Sequence, residues 1–223
     1  SILNNHEKNN DYLNLKNRQL INLERVRDLR DHRGDPLTGK NILIAVIDSG
    51  VDISYLEDSK KEQVIGGYNF INNNSNYTDI DGHGTLVTSI IMDVAPASSI
   101  LAMKATQGGS GFTSHIQDAF ERAILNNVDV INYSTSTEDP KSPIVGIAEK
   151  AVDNGIIVVC TPGNSSKYWT INTPANSPKV ITVGATTVDG QSIAPYTSKG
   201  PAVPGNWEMK PDILAPGTVF SMY

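Results

Sequence analysis

The sequence predicts an α/β protein with three layers, in which helices cover both faces of a doubly wound, mostly parallel sheet. Two observations predict it. Short apolar runs alternate along the chain with segments whose apolar residues recur at helical spacing. The apolar runs are nearly continuous, as in strands that are buried on both faces of a parallel sheet. Strands that alternate with helices in this way are typical of βαβ units.

The chain begins with a polar, asparagine-rich segment, residues 1–34, which predicts an N-terminal arm and a helix on the outside of the domain. The helical pattern consists of Leu20, Ile21, Leu23, Val26 and Leu29. A cluster of turn-forming residues at 34–39 follows. We therefore assign residues 35–223 to the main domain, and 223 residues are enough for one domain with a sizeable core.

Strands and helices then alternate along the main domain. Strands are predicted at 41–47, 64–70, 98–104, 128–133, 156–160 and 180–185, and helices at 83–94, 113–126 and 144–154. Gly155 suits the position just after a helix, where glycine adopts the left-handed conformation most easily. From Asp189 onward, turn-forming residues dominate and no further element is predicted.

Composition argues against two classes of partner. The net charge is −6 and the basic residues are scattered, so no face suited to nucleic acid is predicted. No apolar stretch reaches the roughly 20 residues that a membrane-spanning helix needs. The single cysteine, Cys160, follows an apolar run and is predicted to be buried; a nucleophilic cysteine is the alternative, but no neighbouring base or cation supports it.

Two residues in glycine-flanked turns suggest catalysis. Asp48 ends the first apolar strand and precedes Gly50, and His83 lies between Gly82 and Gly84 at the start of a helix. Taken alone, each of these two residues could equally be one that caps a turn and has no catalytic role. Together they suit a hydrolase, because a serine hydroxyl needs an imidazole base and a carboxylate must orient that imidazole.

The spacing Asp79-x-Asp81-x-His83 also permits a metal site. Glycines on both sides of the histidine explain this turn without a metal, and no second cluster of ligands is evident in the sequence. We therefore predict no metal here, and expect Asp79 and Asp81 to form the turn or to face solvent.

The motifs around these residues resemble those of the subtilisin-like serine protease family. The resemblance covers about residues 40–219 and rests on the Asp48 and His83 segments and on five later ones, in order: Val94-Ala-Pro96, Gly109-Ser-Gly111, Val130-Ile-Asn-Tyr-Ser134, Thr161-Pro-Gly-Asn164 and Lys210-Pro-Asp-Ile-Leu-Ala-Pro-Gly217. It implies a subtilisin-like fold and proteolysis by an Asp-His-Ser triad. The residues themselves indicate no compartment, although the resemblance is compatible with a secreted or bacterial cell-surface setting.

The resemblance also implies site residues. Asp48 and His83 would belong to the triad, and Asn164 would donate to the oxyanion, although a turn asparagine is the simpler alternative. Gly109, Ser110 and Gly111 would pair with an extended protein or peptide substrate, unless they form a flexible loop. Ser134, Thr135 and Ser136 would form the opposite wall of the cleft.

The chain departs from the family pattern at the nucleophile. The family's Gly-Thr-Ser-Met-Ala motif follows the Ala-Pro-Gly turn by roughly twenty residues, whereas only six residues follow Gly217. Ser221-Met222 lacks the preceding Gly-Thr, so Ser221 is not assigned as the nucleophile. We expect the serine on a complementing C-terminal segment beyond residue 223.

Two further departures concern calcium and the cleft. Many secreted members carry calcium ligands in an asparagine-rich insertion between the catalytic histidine and the Ala-Pro turn; here Ile91-Met-Asp-Val94 runs straight into Ala95. Because calcium takes 6–8 oxygen ligands, Asp93 alone is no site, and no cofactor is expected. In the cleft, Ser136 stands where glycine is usual and Pro162 precedes Gly163, so both residues would narrow it.

Two functions remain open from the sequence. The first is a serine endopeptidase completed by the missing segment. The second is an inactive pseudoprotease that binds peptides or regulates a partner on the same fold. The retention of Asp48, His83 and Asn164 favours the first function, and the missing serine favours the second.

Overall fold

The structure, a computed structural model, describes residues 16–202 and 208–217. Its sheet has seven parallel strands: β1 (Leu43–Asp48), β2 (Val64–Asn69), β3 (Ser99–Lys104), β4 (Val130–Tyr133), β5 (Ile157–Cys160), β6 (Ile181–Thr186) and β7 (Ile213–Pro216). They lie in the order β2-β3-β1-β4-β5-β6-β7. The predicted parallel sheet is confirmed, and six predicted strands lie within two residues of their expected ends.

The helices are α1 (Leu23–Arg27), α2 (Asp58–Lys61), α3 (His83–Val94), α4 (Thr113–Leu125) and α5 (Ile144–Asp153), with a 3-10 turn at Ile53–Tyr55. Gly155 follows α5 with φ +83°, as predicted. None of the helices in the described part of the chain is long and apolar enough to cross a membrane.

The predicted N-terminal helix is interrupted. Residues 16–20 are helical, a turn follows at 21–22, and α1 begins at Leu23. Asn22 takes the left-handed conformation, with φ +53°, and so ends the first helical stretch. Leu23 is buried, whereas Ile21, Val26 and Leu29 are exposed. Leu20 is half-buried, so the residues of the apolar pattern do not form one continuous buried face.

Helices cover both faces of the sheet, which confirms the three layers. Ala45 and Ile47 of β1 pack in one apolar cluster with α4 and α5. Ile44 and Val46 of the same strand pack in a second cluster with α3. Successive side chains of a strand point to opposite faces, so β1 is buried from both sides.

Strand β7 is the element that sequence patterns miss. It pairs with β6 from Val183–Ile213 to Thr186–Pro216. The strand is short, ends in a proline and follows Pro211, so its residues read as turn-forming. Pairing with β6, a tertiary interaction, decides the conformation here.

The α3 face of the sheet is only partly covered by the described residues. Ile44, Val130 and Ile157 are register partners and therefore share that face. In the outer strands, side chains on this face are exposed: Ile157 by 51%, Ile181 by 40% and Ile213 by 55%. Strands of a parallel sheet are normally covered on both faces, so this apolar surface suits a further covering element.

The topology places a crevice at the end of β1. The chain runs from β1 to β2 and β3 on one side of it, and then crosses to β4 on the other side. In open α/β sheets, sites form at such a reversal, outside the carboxyl ends of the strands. Asp48 is the last residue of β1.

Candidate active site

Asp48 is buried, and one oxygen of its carboxylate is hydrogen-bonded to the next residue. Its side chain is 1% exposed, and Oδ1 accepts a hydrogen bond from the backbone N–H of Ser49 at 2.7 Å. Gly50 then turns the chain with φ +107°, where a Cβ would collide with the carbonyl oxygen of Tyr77. The predicted sharp turn after Asp48 is therefore present, and only glycine fits it without strain.

His83 is the first residue of α3 and meets Asp48 directly. Its Nδ1 lies 2.7 Å from Oδ1 of Asp48, and its side chain is half exposed. Because a carboxylate only accepts, Nδ1 donates, which leaves Nε2 of the neutral ring as an acceptor. The sequence-predicted pair is thus brought together in the tautomer that a general base requires.

Contacts between the two glycine turns fix this geometry. The backbone N–H of Gly84 donates to Oγ of Ser49 at 2.9 Å. A Cβ on Gly84 would collide with the carbonyl oxygen of Gly50. The start of α3 can therefore approach the end of β1 only because both turns carry glycine.

Asp79 caps the start of α3. Oδ1 accepts from the backbone N–H groups of Asp81 and Gly82, at 2.9 and 3.0 Å. Oδ2 accepts from the N–H and the hydroxyl of Thr85, at 2.9 and 2.7 Å. Burial raises the pKa of Asp79, but these hydrogen bonds outweigh it and hold that pKa below its usual value. The carboxylate thus acts as a helix cap, as predicted for a turn-forming residue.

Charges around His83 stabilise its protonated form. The hydrogen bond that Nδ1 donates to Asp48 is the largest cause that raises the pKa of His83; burial opposes it, and the charges of Asp48, Asp81 and Asp79 add to it. The imidazolium that forms when this residue takes a proton is therefore favoured.

Among the described residues, no group of three His, Cys, Asp or Glu side chains could hold a metal ion.

A cleft of about 340 Å³ opens beside this pair. It is lined by Asp48, Ser49, Asp81, His83, Thr106, Gly109, Ser134, Thr135, Ser136, Thr161, Gly163 and Asn164. Most of the predicted site residues meet here, although they are far apart in sequence. Ser49, Thr106 and Thr161 also line the cleft but were not predicted from the sequence. They follow β1, β3 and β5 within two residues, and in a parallel sheet that position is the feature that could have identified them.

Ser110 and Gly111 line a second, neighbouring cavity of about 370 Å³, with Gln107, Phe112 and others. Gln107 and Ser110 exchange backbone hydrogen bonds at 2.7 and 3.2 Å, so segment 107–110 is a tight turn. The N–H of Gly109 is 3.3 Å from Oδ2 of Asp81. The structure therefore brings Gly109 to the cleft, and its two successors to the adjoining cavity.

The opposite wall follows β4. The side-chain amide of Asn132 donates to Oγ of Ser134 at 2.9 Å, and that of Asn172 donates to Oγ of Ser136 at 3.0 Å. Beyond this wall, Gly163 adopts φ +96° and presents Asn164, which is exposed at the cleft. Asn164 is thus on the same cleft as His83.

No hydroxyl within residues 16–202 and 208–217 donates a hydrogen bond to the ring of His83. Ser221 lies outside the described residues. Cys160 is buried, as predicted, and burial raises the pKa of its thiol to about 12, which keeps it protonated and unreactive. The described residues thus present an imidazole and the carboxylate that accepts its hydrogen bond.

Comparison with known proteins finds relatives that belong to one family. The model of the subtilase family matches residues 39–222. Subtilisin E of Bacillus subtilis (strain 168) is 36% identical over 194 residues, which cover 81% of this chain and 48% of that protein. Subtilisin of Bacillus pumilus is also 36% identical over 194 residues, covering 81% and 66%. The chain thus spans about half to two thirds of the length of these curated relatives.

Solved structures show the same fold. A cold adapted subtilisin-like serine proteinase matches with a TM-score of 0.71 and 25% identity, over 88% of this chain and 71% of that one. A lanthipeptide protease matches with a TM-score of 0.70 and 24% identity, over 82% and 58%.

Proposed function

The chain belongs to the subtilase family of serine proteases, and from this premise we propose that it carries the aspartate and histidine of a serine endopeptidase. The observation that carries the proposal is the 2.7 Å contact between Nδ1 of His83 and Oδ1 of Asp48. A buried carboxylate that orients a half-exposed imidazole, beside a cleft, is the arrangement that activates a hydroxyl nucleophile.

In the proposed reaction, Nε2 of His83 takes the proton of a serine hydroxyl as its oxygen attacks the substrate carbonyl. The imidazolium then gives this proton to the leaving amine, and a water molecule hydrolyses the acyl-enzyme by the same two transfers. Asp48 keeps the ring in the required tautomer and stabilises the positive charge. The raised pKa of His83 favours the first transfer.

Asn164 would stabilise the oxyanion together with a backbone N–H. It is exposed and lines the same cleft as His83, directly after Gly163, whose φ of +96° is left-handed. A preorganised donor of this kind is typically worth about 10²–10³ in kcat.

The substrate would lie extended between segments 109–111 and 134–136. Main-chain hydrogen bonds would hold it, as when a strand is added to an exposed edge. Gly109 and the three residues Ser134, Thr135 and Ser136 already line the cleft. Pairing at Ser110 requires turn 107–110 to open, because its N–H donates to Gln107.

A complementing segment would supply the serine. The exposed Ile157, Ile181 and Ile213 on the α3 face support it, because an amphipathic helix laid there would bury them. This face is the one from which α3 presents His83, so a covering helix could bring a hydroxyl to the same cleft.

The test is peptide hydrolysis by the complete protein, with His83→Ala as the decisive variant. We expect kcat to fall at least about 10⁴-fold, because the base is lost. His32→Ala, at an exposed site in the N-terminal region outside the cleft, is the control for loss of a histidine and should leave kcat unchanged. Asn164→Ala should lower kcat by about 10²–10³ with little change in KM.

Equal hydrolysis by the wild type and His83→Ala would contradict the proposal. A complete wild-type protein that binds peptides in the cleft but hydrolyses none would instead indicate a pseudoprotease.

A further inference from the structure

Asn172 lies between two segments that line the cleft, 134–136 and 161–163. We call these segments the two walls. The side-chain amide of Asn172 donates to Oγ of Ser136 at 3.0 Å. On the other side it abuts Gly163, where an added Cβ would collide with this amide. Asn172 does not line the cleft itself and so lies behind those two residues.

The backbone around Asn172 is fixed to the same two walls. Its N–H donates to the carbonyl oxygen of Pro162 at 2.9 Å. The next residue, Thr173, exchanges backbone hydrogen bonds with Thr137 at 2.8 and 3.1 Å. The segment that carries Asn172 is thus tied to residues next to both Ser136 and Gly163, and its side chain has little freedom to swing away.

The reaction proposed above determines which part of a substrate faces this residue. If the reacting carbonyl lies between His83 and Asn164, as proposed, the side chain on its acyl side would point between segments 134–136 and 161–163. Those segments follow β4 and β5, and both line the cleft. Asn172 contacts Ser136 and Gly163 from behind and so closes the gap between the two segments; this closed gap is the floor beneath that side chain.

We infer that Asn172, held by Ser136, closes this floor and restricts cleavage to peptide bonds that follow a small residue such as glycine, alanine or serine. The inference rests on the proposed proteolytic function. Space is one reason, because the amide of Asn172 lies against both Ser136 and Gly163 and so occupies the gap that a large side chain would have to enter. Polarity is the other, because a large apolar side chain that displaced the amide would leave its donor and Ser136 unpaired.

The test compares peptide anilides with alanine or phenylalanine before the scissile bond, hydrolysed by the complete protein. For Asn172→Gly we expect the phenylalanine-to-alanine ratio of kcat/KM to rise at least about 10-fold, since one or a few methylenes in such a pocket change rates by this order. Asn172→Asp keeps the shape and can accept from the Ser136 hydroxyl, so its ratio should stay near that of the wild type.

Asn126→Gly is the control for a general effect of an asparagine-to-glycine change. Asn126 caps the end of α4, where its amide donates to the carbonyl oxygen of Arg122. It is exposed and does not line the cleft, so the ratio should not change. An unchanged ratio in Asn172→Gly, or an equal rise in Asn172→Asp, would overturn the inference.

Binding of fluorescent product peptides that end in alanine or phenylalanine separates this inference from the proposed function. If no variant hydrolyses peptides, the proposed function fails, but a gain of about 10-fold in affinity for the phenylalanine peptide in Asn172→Gly still supports a closed floor. No such gain, or no binding of either peptide, overturns it.

Discussion

Replacing Asp79 by alanine would test how the start of helix α3, which carries His83, is held. The carboxylate accepts four hydrogen bonds, from the N–H groups of Asp81, Gly82 and Thr85 and from the Thr85 hydroxyl. Asp79 is 5% exposed and Thr85 is 4% exposed, whereas Asp81 and Gly82 are more open to solvent. Asp79→Ala therefore leaves two buried donors on Thr85 without a partner.

The expected cost follows from these contacts. An unsatisfied buried donor costs about 1–3 kcal/mol, so two on Thr85 give about 2–6 kcal/mol. Water can replace the carboxylate at the two open N–H groups, which therefore add little. We expect a loss of about 4 kcal/mol, and a Tm lower by roughly 8–16 °C at about 2–4 °C per kcal/mol for a domain of this size.

The assay is thermal and urea unfolding of the wild type, Asp79→Ala and Asp189→Ala. Asp189 is the matched control, because it also accepts from a hydroxyl (Thr187) and from the N–H of Gln191, but in an exposed turn. Its loss should leave Tm nearly unchanged, since water replaces it. Equal losses of Tm for the two variants would refute the reasoning that burial makes the Asp79 cap strong.

The pH dependence of unfolding gives a second readout. The pKa of Asp79 is lowered in the folded protein, so its contribution is present above the unfolded value of about 3.9 and is lost as pH falls through the folded value. The stability difference between the wild type and Asp79→Ala should therefore shrink as pH is lowered below about 4. A constant difference from pH 7 to pH 3 would contradict this assignment.

Two further predictions concern His83 and follow from the proposed function. Asp81→Asn removes a negative charge that raises the pKa of His83, so the acid limb of kcat/KM against pH should move to lower pH; an unmoved limb would contradict that coupling. Gly84→Ala places a Cβ against the Gly50 carbonyl oxygen and should lower kcat/KM by about 10²-fold by displacing His83. Gly146→Ala, in open space within α5, is its control and should match the wild type in kcat/KM.

Local sequence signals were sufficient for most elements. Helix α3 begins and ends at the predicted residues, because glycine turns and the Pro96 boundary mark it in the sequence. The N-terminal helical pattern does not form one continuous helix, because Asn22 takes a left-handed conformation that periodicity alone does not reveal. Strand β7 was missed because pairing with β6 outweighs its prolines.

The sequence by itself determined that Asp48 ends a strand and that His83 begins a helix, each beside a glycine turn. These features could be predicted because turn chemistry and periodicity are local properties. Only the tertiary structure decided that Nδ1 and Oδ1 lie 2.7 Å apart, that Ser110 and Gly111 face a second cavity, and that Asn172 contacts Ser136. These features depend on which strands become neighbours. Packing of the whole sheet sets that order, and no local pattern encodes it.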